Sequence, residues 1–333
     1  MIKGLFDIEF RMEELTKNGD PLVRLNECVN WEIFRKDMQI VREKERKSNA
    51  GRKPFDVVLM FKILVLQSLD DALEYQIRDR LSFMRFLGLT IGDQVPDAKT
   101  IWLFREELGN AKLVKRLFKR FDNYLRDHGF KARKGQIVDA SIVSVPIQRN
   151  SREENSRIKE GDVPATWNKA KRRQKDVHAR WSTRNHKHAY GYKNHISIDA
   201  GNKFIRDYAV TDASVHDSRV FGELLDGTNT SRDVWADSAY RSEDNCADLS
   251  HQGYREHIQR KGYRHKKLTA WEKQGNHTRS RIRCRIEHVF GVQTKVAGNL
   301  ILRTIGKIRA EVKIGLRNLS YNIYRSGKLM SVT

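Results

Sequence analysis

Residues 135–146 read GQIVDASIVSVP, an apolar run that a single acidic residue, Asp139, interrupts. Isoleucine and valine in a short run bounded by glycine and proline predict a β-strand. A carboxylate in such a strand is costly to bury unless it is paired or binds a metal ion. We therefore interpret Asp139 as a functional carboxylate. The alternative is an aspartate that caps a turn at the end of the strand.

Further strand and helix patterns extend from this run toward the C-terminus. Four more short strands are predicted, at residues 195–200, 202–211, 234–237 and 253–259. Helices are predicted over 215–226, 279–297 and 299–325, the last two with apolar residues at a period near 3.6. This alternation predicts an α/β domain over residues 131–330 that ends in helices.

The preceding residues carry helical patterns instead. Val57, Phe61 and Leu64 recur at helical spacing, and similar spacing continues beyond residue 77. We predict an all-α N-terminal domain over residues 1–130, with the segment SNAGRKP at 48–54 as a linker.

Within this helical region, residues 87–108 read LGLTIGDQVPDAKTIWLFREEL. Asp97 after proline is a candidate N-cap, which predicts that a helix begins there. With the helical pattern before it, this gives a helix, a short turn and a second helix. That arrangement places polar side chains in the major groove of DNA, here Lys99, Thr100 and Arg105. An ordinary small helical domain is the alternative interpretation.

The charge of the chain favours a polyanionic partner. Its 333 residues carry a formal net charge of +22, with an isoelectric point near 10.0. Residues 167–193 contain nine Lys/Arg against one acidic residue, and residues 253–285 contain eleven against two. Lys and Arg that neutralise phosphates release counterions, which favours nucleic-acid binding. The alternatives are a ribosome-associated or merely basic protein, and solvated charged faces.

We expect residues 148–193 to form a basic loop that contacts DNA. The candidate contact residues in the two basic stretches are Lys171, Arg172, Arg173, Lys193 and Arg281. Aromatic residues interleave the first stretch and can stack on unpaired bases.

Cysteine usage and hydropathy suggest a reducing cytoplasmic location without a membrane. Cys28, Cys246 and Cys284 are scattered and form no CxxC pair, so neither a disulfide framework nor a structural zinc site is expected. The N-terminal residues lack a secretory pattern, and the longest apolar run, 57–66, is too short to span a bilayer.

Two further acidic residues lie in unusual surroundings. Asp237 ends the apolar run in DVWADSAYRS, and Glu287 lies in the basic helical stretch RSRIRCRIEHVFGVQTK. Helix capping by Asp237 and an i,i+4 ion pair of Glu287 with Arg283 are the simpler interpretations. Three carboxylates on strand, strand and helix favour a magnesium site for phosphoryl transfer, in which Mn²⁺ can substitute.

The segments VDASIV, YGYKNHISID, ADSAYRS and RCRIEHVFG, in this order, resemble the DDE transposases of bacterial insertion sequences, specifically the insertion-sequence-five family. The block GRKPFDVVLMFKILVLQSL is similar to the helical N-terminal domain of that family. The resemblance implies a ribonuclease-H-like catalytic domain in which Asp139, Asp237 and Glu287 bind the metal. It also implies cleavage at terminal inverted repeats and strand transfer into target DNA.

The resemblance further implies a Tyr-x2-Arg-x3-Glu-x6-Lys pattern that contacts the transposon end. Arg283 matches it, Ser280 replaces the tyrosine, and Thr294 stands at the lysine position with Lys295 next. A homodimer on DNA in the bacterial nucleoid is expected. A structure-specific nuclease and a catalytically silent repressor derived from a transposase are the alternative functions.

Overall fold

The computed structural model describes residues 7–43, 53–68, 73–184, 187–298 and 301–330. Residues 48–52 of the expected linker lie outside these ranges. The chain divides into two compact units. The first comprises residues 1–121 and 319–333, and the second residues 122–318.

The first unit is helical in the part that the structure describes. Its helices are α1 (Asp7–Lys17), α2 (Pro21–Cys28), α3 (Arg35–Gln39), α4 (Val57–Gln67), α5 (Leu73–Asp79), α6 (Leu81–Leu87), α7 (Ala98–Asn110) and most of α8 (Leu113–Asp127). Short 3₁₀ turns lie at Trp31–Phe34 and Ile40–Arg42. The helical N-terminal region expected from the sequence is therefore present.

The core of this unit is built around α4. Asp56 caps the helix by accepting hydrogen bonds from the amides of Val58 and Leu59. The ring of Phe61 packs 4.6 Å from that of Phe34 and 6.2 Å from that of Trp31, centroid to centroid. Aromatic residues bury large apolar areas, so this cluster supplies much of the stability of the unit.

The connection before α7 corrects the helix-turn-helix expectation. Asp97 does cap α7, since its carboxylate accepts the amide of Thr100 at 2.6 Å. However, α6 ends at the left-handed Gly88, and residues 88–97 separate the two helices. A helix-turn-helix uses a turn of about three or four residues. The longer, proline-containing connection is not that motif.

The second unit contains a six-stranded mixed sheet. The strands are β1 (Gln136–Ser144), β2 (Arg180–Arg184), β3 (Lys187–Asp199), β4 (Ile205–Asp212), β5 (Asp233–Ala236) and β6 (Arg255–Ile258). They lie in the order β2-β3-β1-β5-β6. β2 pairs with the first part of β3, and β4 pairs with the part of β3 that follows. β1 is antiparallel to β3 and parallel to β5.

The remaining helices of the second unit are α9 (Arg152–Lys159), α10 (Lys169–Gln174), α11 (Glu243–His251), α12 (Ala270–Ala297) and the first part of α13 (Lys307–Met330). One face of the sheet packs Val138 against Phe221, Leu224 and Tyr240. The N-terminal half of α13 packs against Val143 and Tyr192 through Ala310 and Ile314.

Two expectations about secondary structure are corrected. Residues 148–193 are not one loop, since they contain α9, α10, β2 and the start of β3. Asp176 organises this region: its buried carboxylate accepts the hydroxyl of Tyr192 at 2.8 Å and the amide of Gly306 at 3.2 Å. The helix expected at 215–226 is two short 3₁₀ turns, Asp217–Val220 and Gly222–Leu224.

Within the described ranges, no helix combines the length and apolar character needed to cross a bilayer.

Candidate active site

Asp139 and Asp237 lie on neighbouring parallel strands. Val138 pairs with Ala236 across β1 and β5, and each aspartate is the next residue of its chain. Val138 and Ala236 are both buried in the same hydrophobic cluster on one face of the sheet. Because successive residues of a strand point to opposite faces, the two aspartates point to the opposite face of the sheet. Both are about nine-tenths buried. Asp237 also caps the following 3₁₀ turn through the amide of Ala239, as its simpler interpretation predicted.

Helix α12 packs against β1 and β5 on the face toward which the aspartates point. Its N-terminal half is fixed to the chain after β6. Asn276 accepts the amide of Arg260 at 2.8 Å and donates to the carbonyl of the same residue at 2.9 Å. Ser280, at the tyrosine position of the family pattern, accepts the Gln259 side chain at 2.6 Å. These bonds fix the position of α12, on which Glu287 lies one turn beyond Arg283 and on the same face.

Arg283 joins two of the three carboxylates. Its Nη1 donates to Oδ2 of Asp139 and its Nη2 donates to Oε1 of Glu287, both at 2.7 Å. The i,i+4 ion pair expected for Glu287 is therefore present, but the same guanidinium also reaches the strand. Charge-assisted bonds of this kind orient both partners. The Arg283 side chain is one-fifth exposed, whereas that of Glu287 is more than half exposed.

The chemistry of these donors fits a hard divalent cation. All three are carboxylates, and Asp139 already faces a positive group, as a buried carboxylate requires. Within the described ranges, however, no three His, Cys, Asp or Glu side chains stand close enough to hold one ion together. The guanidinium of Arg283 lies between two of the three carboxylates, because it donates to both Asp139 and Glu287.

Comparison with known protein families identifies the chain. Residues 130–323 match the family model described as the transposase DDE domain, and residues 10–107 match the transposase domain DUF772. The chain belongs to the DDE transposase family. Among solved structures, the piggyBac transposase synaptic complex with hairpin DNA matches 94% of this chain and 76% of that chain. The identity is 12% and the TM-score 0.45, too low to establish a common fold.

Four of the residues expected to contact DNA are engaged within the transposase. Lys193 pairs with Asp217 at 2.9 Å. Ile196 is the cross-strand partner of Asp139, and Lys193 is three residues away from it on β3. Because side chains alternate along a strand, Lys193 lies on the sheet face opposite Asp139. Lys171 pairs with Glu154 at 2.6 Å, and Arg105 donates to Gln67 at 2.8 Å. Arg283 is the fourth. The structure thus brings Arg283, but not Lys193, to the carboxylates.

The side chains of the other expected contact residues are more exposed to solvent. Lys99, Arg172, Arg173, Arg281 and Lys295 are exposed. Thr100 is half-buried in the first turn of α7, where its amide donates to Asp97. Exposed cations on helices are available to phosphates without the loss of an internal ion pair.

One residue that the sequence analysis did not single out is Arg317 on α13. It is about nine-tenths buried, and its Nη2 donates to the carbonyls of Gln293 and Gly298 at 2.5 and 2.7 Å. Its signal in the sequence is a lone arginine between Leu316 and Leu319, both buried. A charge in an apolar stretch of helix indicates a specific partner or ligand.

Proposed function

We propose that the transposase cuts DNA at terminal inverted repeats and transfers the freed strand into target DNA, with Asp139, Asp237 and Glu287 as its catalytic carboxylates. The observation that carries this proposal is that Asp139 and Asp237 follow paired residues of β1 and β5, while Arg283 joins Asp139 to Glu287 of α12. The mixed sheet, with an antiparallel half and a parallel half, supports a ribonuclease-H-like class for the second unit.

The proposed chemistry is two successive displacements at phosphorus. In the first, a water oxygen forms a bond to the scissile phosphorus while the bond to the 3′-oxygen breaks, which leaves a 3′-hydroxyl and a 5′-phosphate. In the second, that 3′-hydroxyl attacks a phosphodiester of the target and releases a new 3′-hydroxyl. Both displacements build negative charge on the phosphoryl oxygens.

The carboxylates would hold Mg²⁺, or Mn²⁺ in its place, which supplies activation of the attacking oxygen and charge neutralisation at the leaving one. Asp139 and Asp237 would bind from rigid neighbouring strands, and Glu287 from the helix above them. Arg283 would exchange its carboxylate partners for a DNA phosphate, a role in keeping with its bidentate geometry.

We propose DNA contacts on each of the two units. In the second unit, the exposed Arg172, Arg173, Arg281 and Lys295 are the first candidates for phosphate contact, and in the first unit Lys99 and Thr100. Lys171, Lys193 and Arg105 would first have to give up their present partners. We also propose that the protein acts on DNA as a homodimer in the nucleoid, since two element ends must be cut together.

The test is an end-labelled DNA assay with the repeats that flank the coding sequence. Wild type and Asp237→Ala are incubated with Mg²⁺ or Mn²⁺, and cleaved and joined products are resolved. We expect metal-dependent cleavage followed by joining in the wild type, and binding without cleavage in the variant. Wild-type cleavage rates in Asp237→Ala would contradict the assignment.

The same assay separates the two alternatives. A structure-specific nuclease would cleave without joining, because its attacking group is always water. A silent repressor would bind the repeats with neither product. The carboxylates at all three positions favour the enzyme.

A further inference from the structure

A cavity of about 360 Å³ adjoins the candidate active site within the second unit. This volume falls in the range of roughly 300–1,000 Å³ that is usual for ligand sites. Ser141 lines it and lies two residues beyond Asp139 on the same face of β1, about 7 Å along the strand. Phe290 also lines it, one turn beyond Glu287 on α12.

The walls of the cavity are of two kinds. Phe290, Ile301 and Ile314 are apolar, whereas Ser141, Gln293 and Arg317 are polar. Apolar walls with a few convergent polar groups are typical of a site that binds an organic ligand and fixes its orientation.

Arg317 is the charged group of this cavity. No carboxylate pairs with it among the residues that the structure describes, and its buried Nε has no hydrogen-bond partner there. A guanidinium removed from water without an anion is costly. The carbonyls of Gln293 and Gly298 satisfy Nη2 alone. Burial lowers the pKa of Arg317 to about 10, which still leaves it charged at neutral pH.

We propose that this cavity binds one phosphate of the DNA strand that enters the active site, with the Arg317 guanidinium donating to a phosphate oxygen and the sugar against the apolar lining. This inference rests on the proposed function. Because a DNA strand advances about 3.4 Å of helix axis per nucleotide, the contacted phosphate lies within about two nucleotides of the scissile one. A purely structural role, in which Arg317 only caps the C-terminal end of α12, is the competing explanation.

The test uses the flanking repeats as a duplex in which single phosphates are replaced by neutral methylphosphonates. Affinity is measured by fluorescence anisotropy without divalent metal, so that no cleavage occurs. We expect wild type to lose about tenfold in affinity at one position near the cleavage point, as for loss of a hydrogen bond to a charged group. Arg317→Gln should lose a similar factor on unmodified DNA and be insensitive to that methylphosphonate.

Two further variants keep the test decisive if Arg317→Gln does not fold. Ser141→Leu fills the cavity and retains Arg317, so it should also lose affinity and the sensitive position. Arg285→Gln is the matched control, because Arg285 on the same helix as Phe290 donates to a carbonyl, that of Ala200, at 2.7 Å and lines no part of the cavity. It should keep the wild-type pattern.

Wild-type affinity and an unchanged methylphosphonate pattern in Ser141→Leu would overturn the inference and leave Arg317 as a helix cap. That result leaves the proposed function standing, since wild type still binds the repeats. Failure of the wild type to prefer the repeats over a scrambled duplex would instead overturn the proposed function, and the inference with it.

Discussion

Arg283 and Asp139 lie 144 positions apart in the chain, and the guanidinium of the first donates to the carboxylate of the second at 2.7 Å. The same guanidinium holds Glu287 at 2.7 Å. A cation of the protein thus stands between two carboxylates that we propose as metal ligands. Arg283 and a divalent ion would compete for the same oxygens.

Removal of Arg283 should therefore tighten metal binding in the absence of DNA. For Arg283→Gln we expect an affinity for Mn²⁺ about tenfold higher than in the wild type, since the ion no longer displaces a guanidinium from partly buried partners. Electron paramagnetic resonance of free Mn²⁺ measures this directly. Arg285→Gln, which removes a cation bound to a carbonyl, should change the affinity little. Weaker binding by Arg283→Gln would contradict competition.

Gly135 directly precedes β1, and its replacement should destabilise the contact between the start of β1 and β5. Its φ is +80°, and a Cβ there would meet Cζ3 of Trp235 at 2.3 Å and the carbonyl oxygen of Asp233 at 2.5 Å. Gly135→Ala combines backbone strain with a clash against β5, so we expect a loss of more than about 2 kcal/mol in the free energy of unfolding.

Gly253→Ala is the control for this change. Its φ is +73°, but an added Cβ would meet no atom within 4 Å. Only the strain of the left-handed conformation, about 1 kcal/mol, should appear in denaturant unfolding. Equal losses in the two variants would show that the contact with Trp235 does not matter.

The buried guanidinium of Arg206 should be one of the main electrostatic supports of the second unit. Arg206 is 1% exposed and pairs with Asp122 at 2.8 Å and with Asp199 at 3.0 Å. Arg206→Leu leaves two carboxylates buried without it, for which we expect a loss of about 3–5 kcal/mol in the free energy of unfolding. Arg255→Leu, which removes an ion pair of a largely exposed arginine, should cost far less stability than Arg206→Leu.

A partial rescue would support this explanation. Asp199→Asn in the Arg206→Leu background removes one uncompensated charge and should return part of the lost stability. Urea unfolding of the wild type, Arg206→Leu, Arg255→Leu and the double variant provides the comparison. A double variant less stable than Arg206→Leu by the full cost of a second mutation would argue against charge as the cause.

His195 should make the protein less stable in mild acid. The ring is fully buried on β3, where its Nε2 lies 2.8 Å from the Thr211 hydroxyl. Burial lowers the pKa of His195 to about 4, from an ordinary value of 6.5. Between pH 6.5 and 4 the unfolded chain therefore binds a proton that the folded chain excludes. Stability falls as the pH falls through this window, by about 3 kcal/mol at most.

Two measurements check this sign. Histidine-specific NMR should find the His195 ring neutral at pH 5, and His195→Gln should show a shallower loss of stability from pH 6.5 to 4 than wild type. A His195 ring that titrates near pH 6.5 would contradict the prediction.

The sequence predicted those elements whose apolar pattern is local. The run around Asp139 is a strand and the stretch with Glu287 is a helix, because isoleucine and valine spacing determines both. β2, with the residues RWSTR, and the start of β3 escaped prediction since their polar side chains carry no alternation of buried residues. Their pairing depends on contacts with Tyr190 and Gly191 across the sheet.

The site was predictable as a set of residue types but not as a geometry. An acid in an apolar strand indicates function whatever its partner, which is why Asp139 stands out. The guanidinium of Arg283 between Asp139 and Glu287 depends on how α12 packs over β1, and no local pattern encodes that contact. Lys193 shows the converse, since its basic neighbourhood suggested DNA while strand alternation turns it toward Asp217.

Asp237→Cys offers the most direct test of the proposal that these carboxylates hold the catalytic metal. A thiolate is a poor ligand for Mg²⁺ and a better one for softer ions such as Mn²⁺. Cleavage of end-labelled repeats by this variant is measured in each metal, beside wild type. We predict activity in Mn²⁺ and none in Mg²⁺, which would place residue 237 in contact with the ion. Cleavage at the wild-type rate in Mg²⁺ would contradict that contact and the site built on it.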